Sequence, residues 1–269
     1  MRGLSRVALA EVEERFNAVA GSADLGTLSD ELFALADLLD REHGLRRAVS
    51  DPSRPGEQKA ATLRVLLAGK VGEAALATAE TAVAARWSRT GDLADALERL
   101  GVVAAAAEAE SQSRIDEVED ELFRFGRIVA ANPALRRALT AADAPAAGKE
   151  QLLRDLLGGK VGPASLRLIT QVVVHPRGRS LEAGLEEFGR LVAQQRQRLV
   201  AVVRSAVELT EAQKQRLASW LSTSYGRDVH LNVEVDKRVL GGFSVRIGDE
   251  IIDTTIVGRI DEVRRRLAG

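Results

Sequence analysis

The chain has 269 residues, enough for two or three compact domains. Charged residues are 29% and hydrophobic residues 45%, the balance of a soluble folded protein, and a net charge of −1 excludes a global field for nucleic acid or anionic lipid. Cysteine is absent, which excludes disulfides, thiolate nucleophiles and Cys-ligated metals. No apolar run approaches the ~20 residues of a membrane helix, and Met1-Arg2-Gly3-Leu4-Ser5-Arg6 lacks a signal-peptide core. Membrane association is therefore expected only through a partner. Aromatic residues are 3%, so a core of Ala, Leu and Val suits close-packed helices.

In chain order, Leu4, Ala8, Val12, Phe16 and Val19 fall at helical spacing. Thr27 with Asp30 predicts an N-terminal cap for a helix through Leu32, Leu35 and Leu39. Pro52 and Pro55 break the chain. A helix over Glu57–Ala68 follows, and Gly69 stands where a left-handed C-terminal cap is wanted. Glu73–Arg89 predicts a longer helix, and Gly91-Asp92 opens the next.

The order then repeats. Leu45-Arg46-Arg47-Ala48 returns as Leu135-Arg136-Arg137-Ala138. Leu66-Leu67-Ala68-Gly69-Lys70-Val71-Gly72 returns as Leu156-Leu157-Gly158-Gly159-Lys160-Val161-Gly162, displaced by the same 90 residues. After a two-residue deletion Leu93, Leu97 and Glu98 pair with Leu181, Leu185 and Glu186. A period this long exceeds the ~20–50 residues of solenoid repeats, so it marks a duplicated domain. Residues 1–107 and 108–198 are the expected bundles. The first has two helices before its Leu-Arg-Arg motif; the second has one, roughly Glu108–Val129. Between Asp92 and Ala131 there is no proline, and Arg114, Asp116, Glu117, Glu119, Asp120 and Glu121 crowd together. This predicts one long, solvent-exposed helix shared by both bundles; the alternative is a break near Ser111-Gln112-Ser113.

Residues 199–269 follow another rule. Leu199–Val207 is short and Val-rich, like a strand. Thr210-Glu211-Ala212-Gln213 is a capping box for a helix with Leu217, Trp220 and Leu221. Val229, Leu231, Val233 and Val235 alternate with polar residues, as do Phe243, Val245 and Ile247, which predicts two half-buried strands. Gly241-Gly242 enters the second as a bulge or close approach, and Gly248-Asp249 turns before Ile251-Ile252. Ile256, Ile260, Val263 and Leu267 fit one face of a last helix. The expected whole is α+β, mostly α: duplicated helical bundles followed by a small β-α-β-β-α domain.

The segment from Val235 to Asp253, with Asp236, Gly241-Gly242, Gly248-Asp249 and Asp253, resembles the C-terminal signature of ATP synthase delta subunits, the family that includes the mitochondrial oligomycin-sensitivity-conferring protein. Val203–Thr210 and Arg179–Phe188 resemble other family segments, and the long, Arg-rich form is similar to the actinobacterial branch. The resemblance implies a non-catalytic stator subunit of the F-type ATP synthase, on the cytoplasmic face of the plasma membrane. Helical bundles would bind N-terminal segments of the alpha subunits, and the C-terminal domain the b-type stalk, resisting rotor torque during proton-driven synthesis. It implies no cofactor, metal or catalytic residue. A helical adaptor outside ATP synthase is the alternative.

Sharper chemical readings are weak. Around Gly159-Lys160, Arg154 and Val161 break the phosphate-loop pattern, so a helix end explains the glycines better. His43, His175 and His230 have no second His at ligand spacing. Asp236, Asp249 and Asp253 suit turns and strand ends. Gly241, Gly242, Gly248, Asp249 and Asp253 are expected to be structural. Trp87 and the strand residues Val229, Leu231 and Val233 are the candidate partner contacts, with Trp87 equally placed for core; Trp220 is expected in the core.

Overall fold

The computed structural model describes residues 3–197, 199–225, 229–236, 239, 242–247 and 250–253. Gly241, Gly248, Asp249 and the expected last helix lie outside the described residues. The chain forms two compact units, Met1–Arg196 and Gln197–Gly269. The first is all helix: α1 (Leu4–Ala20), α2 (Leu25–Arg41), α3 (His43–Ser50), α4 (Gly56–Leu67), α5 (Glu73–Ala84), α6 (Thr90–Ser111), α7 (Ile115–Ala131), α8 (Pro133–Thr140), α9 (Ala146–Leu157), α10 (Pro163–Val174) and α11 (Leu181–Gln197). Both ends of α2, α3, α4 and α5 recur 90 residues on, in α7, α8, α9 and α10. The duplication seen in sequence is thus a duplication of helix boundaries.

Those boundaries have local causes. Gly69 and Gly159 both take φ 71°, where any side chain would be strained. Asp24 caps α2 by accepting from the Thr27 N–H at 2.7 Å, so the cap lies one turn earlier than Thr27–Asp30 suggests. The helix expected to reach Arg89 ends at Ala84, leaving Trp87 in the connection to α6.

The long exposed rod does not form. α6 ends at Ser111 and α7 begins at Ile115. Ser113 adopts φ 58°, its N–H donates to Glu110 O at 2.9 Å, and the Arg114 N–H donates to Ala109 O at 2.7 Å. This is a Schellman stop built on serine instead of glycine, so the sequence carries no strong breaker.

Nor is α6 a solvent-exposed helix. One face carries Leu93, Leu97, Leu100 and Ala104 into the first core, with Val12, Phe16, Leu32 and Leu63. Another carries Val102, Ala105, Ala106 and Ala109 into the second core, with Leu122, Phe125, Leu168 and Phe188. Its role in the second bundle matches that of α1 in the first: Val12 and Phe16 of α1 correspond, 90 residues on, to Val102 and Ala106. The second copy therefore also has two helices before its Leu-Arg-Arg motif. α6 serves twice, and the expected division at 107–108 falls inside it. Small alanines let both cores approach its backbone. Gly101 is required where α2 crosses, because a Cβ there would sit 2.7 Å from the Phe33 ring.

A buried carboxylate ties α1 to α6. Asp92, 2% exposed, accepts from Ser5 Oγ at 2.6 Å and from Arg89 Nη2 at 2.8 Å. Burial alone would raise its carboxyl, but the hydrogen bonds from Ser5 and Arg89 outweigh it and hold the pKa below the usual carboxylate value. Asp92→Ala is expected to cost about 2–3 kcal/mol, since hydrogen bonds to a charged group are lost. The folded pKa lies below the unfolded one. The contribution is therefore complete above the unfolded pKa of about 3.9 and disappears as pH falls through the folded value. Urea midpoints of parent and variant should converge in strong acid.

The second unit has β1 (Leu199–Ser205), α12 (Glu211–Tyr225), β2 (Val229–Val235), β3 (Phe243–Ile247) and β4 (Glu250–Asp253). Sheet order is β2-β1-β3-β4, so Glu250–Asp253, which carries Ile251-Ile252, is itself a strand. β1 pairs in parallel with β2, with Val203 opposite Val233, and antiparallel to β3, with Val203 opposite Val245. Ala201, Val203, Val245, Ile247 and Leu221 form its core. The capping box holds: Thr210 N–H donates to Gln213 Oε1 at 2.9 Å. Gly242 takes φ 78°, a conformation that favours glycine before β3.

Candidate partner-binding surfaces

The residues singled out from sequence separate into two groups. Trp87 packs its ring partly against the first core, and Nε1 donates to Ala82 O at 2.7 Å, so the indole is largely structural. Val229 is buried in the sheet core, while Leu231 and Val233 pack against it and keep part of their surface on the edge strand β2. Asp253 pairs with Ser244 in the ladder between β3 and β4. Trp220 departs from expectation: it is 54% exposed, because Leu221 takes the inward position on α12. An α-helix advances 100° per residue, so adjacent positions cannot both face one sheet. Val207 and Val235 of the same unit are also exposed.

The glycine-lysine segments are helix starts sealed by the protein's own carboxylates. Glu31 of α2 accepts from the Gly72 N–H at 2.7 Å. Its counterpart 90 residues on, Glu121 of α7, accepts from the Gly162 N–H at 3.0 Å. Each carboxylate occupies the positive helix end that a phosphate would need. Lys160 Nζ points back to Leu156 O at 2.9 Å. His175 caps α10 and sits 2.7 Å from Asp37, and His43 contacts Arg46. No group of three His, Asp or Glu placed to hold a metal occurs among the described residues. None of their helices is long and apolar enough to cross a membrane.

What sequence reasoning missed is the charged seam between the copies. From the second copy Arg167 reaches Asp30 at 2.7 Å and Glu108 at 2.6 Å. Arg179 reaches Glu98 at 2.6 Å and Glu187 at 2.9 Å. Arg177 contacts Asp40, Asp95 at 2.9 Å and Glu98 at 3.3 Å. Burial raises the Asp95 carboxyl above its ordinary value, with Arg177 opposing it. Phe33 of α2 stacks on Phe188 of α11 beside this seam, ring centroids 6.3 Å apart. One signal was in the repeat: Arg167 stands where the first copy has Ala77.

Residues 102–267 match the family model for the ATP synthase delta (OSCP) subunit. The chain is 50% identical to ATP synthase subunit delta of Thermobifida fusca over 269 residues, covering 100% of both chains. It is 49% identical to that of Streptomyces griseus, again over 100% of both. It is 45% identical to that of Kineococcus radiotolerans, covering 99% of this chain and 98% of the relative. With full-length relatives and a family model that runs from the second half of α6 through the second bundle into the sheet unit, the chain belongs to the ATP synthase delta (OSCP) subunit family.

Proposed function

We propose that the chain is a non-catalytic peripheral-stalk subunit of a proton-translocating F-type ATP synthase, linking the catalytic head to the b-type stalk. The observation that carries this is full-length identity with actinobacterial delta subunits. The two-unit construction supports it: a helical body and a separate small sheet unit suit contacts to two bodies at once. Two moderate interfaces joined in one chain reach high total affinity through effective concentration. The helical unit takes the alpha-subunit segments, where Trp87 offers the exposed part of its ring. The sheet unit takes the stalk through the β2 edge, with Val229 anchoring the strand from inside and Leu231 and Val233 at the surface. The subunit sits on the cytoplasmic face of the membrane through the complex, and binds no nucleic acid.

The test is reconstitution. Complexes depleted of the chain should still hydrolyse ATP but lose proton-coupled turnover, and the purified chain should restore it. Isolated, it should hydrolyse no nucleotide. Residues 1–196 alone should bind the head and not the stalk, and 197–269 the reverse. Failure of the folded full chain to bind either body would refute the reading.

A further inference from the structure

A groove of about 470 Å³ opens between α1, the first half of α6, the connection from α10 to α11, and α11 itself. Six arginines line it against three carboxylates, Asp95, Glu98 and Glu187. The whole chain carries −1, so this excess of positive charge is local.

The charges lie in two layers. At the floor, Arg177 and Arg179 hold all three carboxylates, and the buried Glu98 bridges both arginines. Arg177 Nη1 is buried there without a hydrogen bond. At the rim, Arg6 and Arg190 are exposed and have no ion pair or side-chain hydrogen bond among the described residues. Arg99 gives one N–H to Glu13, and Arg89 gives two to Asp92. A guanidinium has five N–H donors, so both keep donors to spare.

The shape of the rim indicates the ligand. Arg89, which caps α6, and Arg99 are separated by roughly 15 Å of helix at 1.5 Å per residue. That is more than a single phosphate spans, and suits a chain of phosphates. Guanidinium forks pair with phosphate oxygens two N–H at a time. Of the apolar lining, Phe188 and Leu191 are buried and only Leu9 is half-buried. The groove therefore offers no face to a base or ring, and charge alone recognises the ligand. Asp95 and Glu187 keep some exposure and oppose an anion. Burial raises the Asp95 carboxyl above its ordinary value, which makes it easier to protonate when an anion arrives.

We propose that this groove binds a soluble polyphosphate anion of the triphosphate kind through Arg6, Arg190, Arg89 and Arg99, and that the anion bridges α1 to α11. The inference goes beyond the stator reading, which assigns no small-molecule ligand to the chain.

Titration calorimetry of the full chain with tripolyphosphate, without magnesium, should give a saturable isotherm. The Kd should be submillimolar at low ionic strength and weaken as salt is raised. ATP should bind within a few-fold of tripolyphosphate, and AMP and inorganic phosphate at least tenfold more weakly. Arg6→Ala and Arg190→Ala should each weaken tripolyphosphate about tenfold, the loss of one charge-assisted pair, with the helical spectrum unchanged. Arg137→Ala removes the same charge from an exposed position on α8 and should leave the Kd unchanged. Absence of saturable binding would overturn the proposal. Equal weakening by Arg137→Ala would also overturn it, as diffuse attraction. AMP binding as tightly as ATP would show nucleoside recognition instead. Binding to phosphatidic acid vesicles without binding to tripolyphosphate would assign the arginines to a lipid headgroup, and either result overturns it.

Discussion

A fragment that begins at Ser113 is expected to lose the cooperative fold of the second bundle, although it holds all of α7 to α11. The reason is α6. Val102, Ala105, Ala106 and Ala109 belong to the second core, and removing them exposes the surfaces of Leu122, Leu168 and their neighbours. At about 25 cal/mol per Å², a helix face of a few hundred Å² is worth on the order of 10 kcal/mol, and whole domains are stable by only about 5–15 kcal/mol. A fragment that begins at Arg89 keeps this face but presents Leu93, Leu97 and Leu100 to water. It should hold its helices yet self-associate through that exposed apolar strip. In residues 1–196 intact, urea should produce one unfolding transition and not two, because both cores share α6. Circular dichroism and sedimentation of the three proteins are the check. A sharp, parent-like transition in the Ser113 fragment would show the bundles to be independent. The same geometry shows that deleting Leu4–Ala106 would cut the second core as well as remove the first.

Arg177→Met should destabilise the helical unit by about 2–3 kcal/mol, below the ~3–5 kcal/mol of a fully buried pair, because Asp40 and Asp95 keep part of their solvent. The Arg177 side chain is 11% exposed and faces Asp40, Asp95 and Glu98 together. Without it three carboxylates confront one another across the seam, with Arg179 as the remaining cation on Glu98. The pH dependence has a definite sign. Burial already sets the folded pKa of Asp95 above its ordinary value, and loss of Arg177 raises it further. Ionised Asp95 then opposes folding above that pKa, and the opposition vanishes below the unfolded value. The defect should be largest at neutral pH and shrink in mild acid. Arg177 also holds φ 51°, a left-handed conformation costing a side chain roughly 1–2 kcal/mol. Arg177→Gly should therefore be less damaging than Arg177→Met by about that amount. Denaturation midpoints for both variants across pH test this; equal loss at all pH would show that packing, not charge, holds the seam.

Features that depend on a few neighbouring residues were legible along the chain. Gly69 and Gly159 ended helices because only glycine adopts their φ freely, and Thr210 with Gln213 started one. Alternation at Val229, Leu231 and Val233 and at Phe243, Val245 and Ile247 defined strands, and the 90-residue echo defined the duplication. The caps and strands rest on a backbone hydrogen bond or a side-chain period within a turn or two, and the duplication on identity between distant segments. The stop at Ser113 was legible only as the alternative to a continuous rod, because serine carries no breaker signal although it closes a Schellman pair of hydrogen bonds. Trp220 was misplaced because a one-residue rotation exchanges it with Leu221, and sequence does not fix which faces the sheet. A helix shared by both bundles was expected, but packing alone makes it the short, buried α6 with one face in each core. An alanine-rich helix has little apolar contrast around its circumference, so its faces acquire identity from partners far along the chain. The seam has the same origin: Asp30 and Arg167, and likewise Asp40 and Arg177, are 137 residues apart, and only packing of the copies brings them together.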